Sequence, residues 1–480
     1  MRTEATLLGI VFIPLLGSFL LPLIGRLSAR FRNYCALGLV LVTFLLSASL
    51  IGKVLSGQAI TVSQQLVFGF STVFTADGLA VFMASVASFI SLLIVIYSFG
   101  YIDHYDHQSE YYFMVVFFLG AMMGLVMASN LIFLYIFWEL TAIASWRLIG
   151  FFREKNQVMR ADKAFLVTFF GAVVMLLGFI VVYQQTGSFD YATIKASLNG
   201  GTLSNLAVGL ILFGILSKSA TLPFHTWLPD AGVAPSPVTA LLHAAILVKI
   251  GVYVFARLFV ATFPIEQIWH TVVPIIAGVS AIVAAGAALV ETDIKRIIAY
   301  STISQIGFIF FGLATGNMVG VAGGLLYILA HGLSKAGLFL CAGIVEQNTH
   351  VKDINRLGGL MKTMPFTAIA FLACSFSVMG IPPFSGFFAK YMVFAGGINN
   401  GQIGTTIFFM AGAFMTILYL LRVFYKVFMG ETGESQAPEG SASMVYTVVI
   451  FAVLSLLSGI LISYPAQFVQ AALLNLPGVK

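Results

Sequence analysis

The chain has 480 residues, of which 60% are hydrophobic and only 9% charged, with a formal net charge of +6. A soluble domain carries nearer to a quarter charged residues, so this composition excludes one, and apolar runs of 18 or more recur from end to end. The basic excess is scattered over connections between those runs, which is no footprint for nucleic acid.

The apolar runs predict about fourteen membrane-spanning helices, at roughly 5–25, 32–52, 77–100, 111–129, 131–151, 163–185, 205–224, 236–258, 270–290, 294–314, 320–345, 366–395, 403–429 and 444–467. The first run is long enough to span and carries no small-residue cleavage site, so it is read as a helix and not as a signal sequence. Between spans two and three, AITVSQQLVFGFSTVFTAD alternates as a short surface hairpin would. Ser129–Asn130 is a very tight helix-to-helix link. The sequence is therefore read as an all-α polytopic membrane protein.

Orientation follows from lysine and arginine. Connections after odd-numbered spans hold fourteen: Arg26, Arg30, Arg32, Arg153, Lys155, Arg160, Lys163, Lys295, Arg296, Lys352, Arg356, Lys362, Arg422 and Lys426. The other side, with both termini, holds Arg2, Lys53, Lys195, Arg257 and Lys480. The odd connections are accordingly placed in the cytoplasm and both termini outside it.

Five basic residues remain, in or at the edge of apolar segments: Arg147, Lys218, Lys249, Lys335 and Lys390. Glu139 is the one clear carboxylate within a span, and His243 and His331 also fall within spans. A charge at the bilayer centre costs at least about 2.5–3.5 kcal/mol, so a residue set of this kind, spread over spans five, seven, eight, eleven and twelve, marks an ion path. Two spans are broken. Pro223 interrupts the seventh, beside Lys218, and Pro382–Pro383 interrupt the twelfth, with Gly380, Gly386 and Lys390 close by. Proline frees backbone carbonyls, which a membrane tolerates only where protein or a hydrated cavity covers them. Breaks five spans apart are what two inverted repeats, spans 4–8 and 9–13, would give.

The segments HTWLPDAGVAPSPVTALLHAAILVKIGVYVFARL, ETDIKRIIAYSTISQIG, LAHGLSKAGLFLCAGIV and GIPPFSGFFAK resemble, in order, the antiporter-like membrane subunits shared by respiratory complex I (NADH-quinone oxidoreductase), Mrp cation/proton antiporters and group 4 membrane-bound [NiFe] hydrogenases. The resemblance implies fourteen helices, two inverted five-helix repeats with broken helices 7 and 12, and a polar axis near mid-membrane. On it, residues 1–105 form an N-terminal three-helix segment, 106–260 and 261–430 the two repeats, each a half-channel, and 431–480 the last helix. The family's helix-five glutamate falls on Glu139 and its helix-seven lysine on Lys218. His243 and Lys249 match helix-eight positions, His331 and Lys335 the helix-eleven pair, and Lys390 the helix-twelve lysine. The long lateral helix of the largest complex I member is not expected, since the chain stops soon after span fourteen.

The mechanism read from these residues is a proton path. An amine taken out of water holds its proton less tightly, and a nearby carboxylate opposes that loss. Glu139 and Lys218 are expected to form such a pair. Lys249, His331 and Lys335 would link it to Lys390 at the exit. His331 and Lys335, four apart, share a helix face, whereas His243 and Lys249, six apart, serve different neighbours. Arg147 is either a snorkelling interface residue or a modulator of Glu139, and His225 caps or lines the break. Asp293, Lys295 and Arg296 read as a cytoplasmic helix start with a capping acid.

Cys35, Cys341 and Cys374 show no metal-binding spacing, and no nucleophile triad or nucleotide loop occurs. The chain is expected to hold no cofactor of its own, with iron–sulfur and NiFe centres in partner subunits. The leading expectation is a proton- or sodium-translocating subunit of a redox-driven complex in a prokaryotic inner membrane. Its partners would be other antiporter-like and small membrane subunits and a peripheral redox arm. The alternative is a subunit of an Mrp-type Na+/H+ secondary antiporter, which needs no electron donor. A structural membrane anchor, indifferent to its buried lysines, is the third reading. The loops GFFREKNQVMRADKA and EQNTHVKDINRLGGLMKTMP resemble hydrogenase- or Mrp-type members more than a quinone-reducing enzyme.

Overall fold

A computed structural model describes residues 3–65, 71–431 and 437–473. Arg2 and Lys480, used above for orientation, lie outside them. Helices start where the sequence supplies a short polar side chain ahead of an apolar run. Ser28, Asp77, Asn130, Ser204, Asp293 and Asn317 each accept a hydrogen bond from an amide of the first turn, which has no partner within the helix.

In chain order the main elements are α1 (Thr3–Leu27), α2 (Ala29–Leu55), β1 (Ile60–Gln65), β2 (Ser71–Ala76), α3 (Gly78–Tyr101), α4 (Gln108–Met127), α5 (Leu131–Ile149) and α6 (Lys155–Thr186). There follow α7 (Asn205–Lys218), α8 (Ser236–Thr262), α9 (Trp269–Val290), α10 (Ile294–Ala314) and α11 (Met318–Thr349). The last are α12 (Pro365–Met379), α13 (Ser385–Asn399), α14 (Ile403–Met429), α15 (Ala442–Ile460) and α16 (Ser463–Leu473). The expected hairpin is present as antiparallel β1–β2, in register from Ile60 opposite Ala76 to Gln65 opposite Ser71.

Twelve helices among the described residues are long and apolar enough to cross a membrane. Two further apolar helices, α7 and α12, are shorter because the breaks cut them. The seventh span is expected to run to 224, but α7 ends at Lys218. Ala220 then takes a left-handed φ of 52°, and the chain continues as a tight turn at Phe224–Thr226. Pro223 denies the residue before it a helical conformation, so the helix stops short of the proline. The twelfth span divides at Gly380, whose φ is 83°. The last span also stops early, at Ile460, and α16 is separate.

Helices α3, α8, α10 and α11 are buried along nearly their whole length, and the peripheral helices turn large apolar side chains such as Leu16, Phe19, Leu166, Phe366 and Ile407 outward. On α11 every residue from Leu325 to Leu338 except Leu329 is buried. The interior of this protein thus holds the ionisable residues of its spans: Lys218, His243, Lys249, His331, Lys335 and Lys390 are all at most 3% exposed.

Candidate functional site

The break after α7 sets the first part of the site. Lys218 is the last residue of α7, and its ammonium donates to the Trp138 carbonyl at 3.3 Å and lies 5.2 Å from the centre of the Trp138 ring. The Thr141 hydroxyl shares that carbonyl at 2.7 Å. Glu139 is the next residue on α5. Its side chain makes no ion pair with Lys218 within 4.0 Å, and its buried Oε1 has no hydrogen-bond partner. Carboxylate and ammonium are therefore neighbours through one peptide unit and not a closed salt bridge. The Trp227 indole closes the break by donating to the Ser217 carbonyl at 3.0 Å. His225 sits in the turn itself, with Nδ1 buried and unpartnered.

Two π-helical turns, Leu241–Ala245 and Ala256–Thr262, interrupt α8 on either side of Lys249. His243 lies in the first, its ring 4.4 Å from that of Phe339, with neither nitrogen hydrogen-bonded. Lys249 instead faces His331, Nζ to Nδ1 at 2.6 Å. The two α8 residues thus meet different neighbours, as their spacing predicts. His331 and Lys335 share a helix but also diverge: Lys335 donates to the Ser301 hydroxyl at 2.5 Å and to the Ile298 carbonyl at 3.3 Å.

The second break repeats the logic of the first. In a continuous helix the Val378 and Met379 carbonyls would accept from residues 382 and 383, which are prolines and have no N–H. Lys390 of α13 takes up the freed Val378 carbonyl at 2.8 Å, and its ammonium lies 4.6 Å from the Phe308 ring centre and 5.7 Å from that of Tyr327. Gly386 makes this possible, because a Cβ there would lie 1.8 Å from the Ser377 carbonyl oxygen.

Arg147 is not placed against Glu139. It is eight residues further along α5, about 12 Å by helical rise, and pairs with Glu110, which also takes Arg153 at 2.6 Å. A basic residue in the last turn of a helix is favoured there by the helix dipole.

Several charged residues that the sequence places in surface connections are buried. Asp77 and Arg257 form a two-pronged pair at 2.6 and 2.7 Å, and Arg257 also donates to the Tyr253 hydroxyl at 2.9 Å. Asp293 caps α10 as expected, but the Lys295 side chain is 1% exposed and reaches the Ala234 carbonyl at 2.8 Å and Glu346 at 3.0 Å. Asp230, just past the first break, accepts from Lys163 at 2.7 Å and Arg296 at 2.8 Å. Burial works to raise the Asp230 carboxyl, and those two hydrogen bonds outweigh it and hold the group below its ordinary value. The pairing partner in each case is more than 50 residues away, which no local pattern reveals.

The molecule is thus a multi-pass helical membrane protein with several amines and imidazoles buried in its interior, of which Lys218 and Lys390 sit at the two helix breaks and Lys249 meets His331. Residues 128–416 match the family model described as NADH:quinone oxidoreductase/Mrp antiporter, TM, and residues 64–113 match that of NADH-Ubiquinone oxidoreductase (complex I), chain 5 N-terminus. The chain belongs to this antiporter-like family. It is 31% identical over 495 aligned residues to a Na(+)/H(+) antiporter subunit of Staphylococcus haemolyticus, covering 96% of this chain and 61% of that protein. It is 32% identical over 482 residues to a Na(+)/H(+) antiporter subunit of Alkalihalophilus pseudofirmus, covering 93% and 60%. The chain therefore spans about 60% of the length of these relatives. Its fold is similar to a chain of the Mrp complex from Dietzia sp., with a TM-score of 0.91, 23% identity and coverage of 99% and 98%. It is also similar to a chain of the membrane-bound sulfane sulfur reductase, an archaeal respiratory membrane complex, with a TM-score of 0.89, 22% identity and coverage of 96% of both chains.

Proposed function

We propose that this chain is the ion-translocating subunit of an Mrp-type Na+/H+ secondary antiporter, working with other membrane subunits in a hetero-oligomer of a prokaryotic inner membrane. The observation that carries this reading is the similarity to Na+/H+ antiporter subunits at 31–32% identity over more than nine-tenths of the chain. It favours gradient-driven exchange over the redox-driven complex that the sequence motifs put first.

The geometry supports a proton as one of the ions moved. Lys218 with Glu139 forms the first station, Lys249 with His331 the crossing between the halves, and Lys335 with Lys390 the last. At each station an ammonium rests on a neutral oxygen, nitrogen or ring face rather than in a closed ion pair, so release of its proton breaks no salt bridge. Sodium needs several oxygen ligands, which this line of amines does not offer, so its path runs elsewhere in the complex. Both termini lie outside the cytoplasm in this reading, following the distribution of lysine and arginine.

The test is exchange in inverted membrane vesicles from cells expressing the chain with its natural neighbours. A proton gradient imposed without an electron donor should be discharged on adding sodium. Proton movement that begins only on adding a reductant would return the protein to the redox-driven class.

A further inference from the structure

Between Lys335 and Lys390 the structure holds a series of hydrogen bonds made by side chains that carry no charge, ending beside the backbone carbonyl that holds Lys390. Lys335 donates to the Ser301 hydroxyl at 2.5 Å, and the Tyr419 hydroxyl donates to the same oxygen at 2.7 Å. The Gln305 amide nitrogen lies 3.5 Å from the Tyr419 oxygen and 3.2 Å from the Thr416 hydroxyl. Its carbonyl oxygen accepts from the Tyr327 hydroxyl at 2.5 Å. Tyr327, held by Gln305, stays 3.5 Å from the Val378 carbonyl, the oxygen that holds Lys390 at 2.8 Å. Ser301 and Gln305 come from α10, Tyr327 from α11, and Thr416 and Tyr419 from α14, and all five are at most 1% exposed. Gln305 is the only side-chain amide on α10. Tyrosine is an uncommon choice for a purely apolar contact at such depth, since its hydroxyl must then be paired.

We propose that Gln305 is a positioning residue that couples Lys390 to Lys335, by holding Tyr327 off the Val378 carbonyl and Tyr419 on Ser301. An amide offers a donor at one end and an acceptor at the other, so it joins two hydroxyls that an apolar side chain would leave loose. Without the Gln305 carbonyl, the remaining acceptor for Tyr327 is the Val378 oxygen. There it competes with the Lys390 ammonium, and the charged form of Lys390 loses part of its support. The other ionisable groups on α13 and the elements packed around it are Tyr391 on α13 and His331, Lys335, Cys341 and Glu346 on α11. To these are added Tyr419, Arg422, Tyr425 and Lys426 on α14, Cys374 on α12, Tyr446 on α15, and Lys295, Arg296 and Tyr300 toward the start of α10. Glu346 is the one carboxylate in this set. It lies near the far end of α11, closed in ion pairs with Lys295 at 3.0 Å and Lys352 at 2.9 Å, so it does not replace the lost support. The inference rests on the exchange reading above.

The experiment measures sodium-driven proton exchange against pH in vesicles, with the amount of assembled protein determined in each preparation. Gln305→Leu should slow exchange about tenfold and move its alkaline limb about one pH unit lower, the equivalent of one lost hydrogen bond to a charged group. Gln305→His, which restores a donor and an acceptor, should recover most of the rate and the position of the limb. Should Gln305→Leu not assemble, Ser301→Ala, which removes a single oxygen from beneath Lys335, should likewise move the limb lower. A uniform loss of rate with the profile unmoved, in these variants, would reduce Gln305 to a packing role and overturn the inference. So would wild-type behaviour of Gln305→Leu where Lys335→Ala and Lys390→Ala abolish exchange. Wild-type exchange in both lysine variants would instead remove the reading on which the inference rests.

Discussion

Arg257→Ala should be among the most damaging single substitutions away from the buried line of amines. The guanidinium makes two charge-assisted bonds to Asp77 and one to the Tyr253 hydroxyl, and the Arg257 and Asp77 side chains are 9% and 18% exposed. Removing one partner of such a buried pair strands the other, which costs about 3–5 kcal/mol. Asp77 caps the start of α3 and its side chain is not fully buried, so the lower end of that range, about 3 kcal/mol, is expected. Asp77→Asn should cost a similar amount by stranding the guanidinium, while keeping the cap on the Ala80 amide. Asp77→Asn with Arg257→Ala removes both charges and should cost no more than either single change, about 3 kcal/mol, which is a coupling of about 3 kcal/mol. Denaturant unfolding of the detergent-solubilised protein, followed by tryptophan fluorescence, measures all three. Losses that simply add in the double variant would refute the pair as a clamp. The pair ties the start of α3 to the end of α8, two turns from Lys249, so exchange should fall with stability.

Further expectations follow from single contacts. Gly386→Ala would set a methyl 1.8 Å from the Ser377 carbonyl and must separate α12 from α13, so the protein should assemble poorly or lose exchange, whereas Gly404→Ala, with open space around it, should do neither. The folded-state carboxyl of Asp230 lies below its ordinary value, so its stabilisation is present above the unfolded value near about 3.9 and is lost as pH falls through the lower folded value. Asp230→Asn should therefore lower thermal stability at pH 7 and leave it unchanged relative to the parent once the pH lies below the folded value, read as melting temperatures in detergent. Arg147→Ala should weaken the Glu110 contact and cost some thermal stability. It should leave the pH profile of exchange where it is, and a displaced profile would show that Arg147 acts on Glu139 after all.

The parts of the protein legible in its sequence are those where composition and local chemistry agree. A lysine inside an apolar run is costly wherever it points, so Lys218, Lys249, Lys335 and Lys390 declare themselves without a structure. The breaks are legible for the same reason, since proline has no amide to give whatever the tertiary context. Span ends are less so: α7 stops at Lys218, since Pro223 has no amide to give the Ser219 carbonyl four residues back and the break begins ahead of the proline itself. The closed pairs are not legible. Asp77 and Arg257 stand at helix ends, where charge is ordinary, and 180 residues of chain separate them. Lys295 reads as a surface residue until α11 brings Glu346 beside it. Gln305 carries a signal, as the one side-chain amide on α10, but Tyr327 and Tyr419 are lost among 17 tyrosines until the fold sets their hydroxyls in line.

In the proposed exchange, protons pass along the buried amines, beginning at Lys218. The most direct test is sodium-driven proton exchange in inverted vesicles carrying Lys218→Ala, compared with the parent at equal amounts of assembled protein. Exchange should be abolished while assembly persists, with Glu139→Gln also strongly impaired. Full exchange by an assembled Lys218→Ala variant would mean that the ions take another route and that the buried amines serve only the fold.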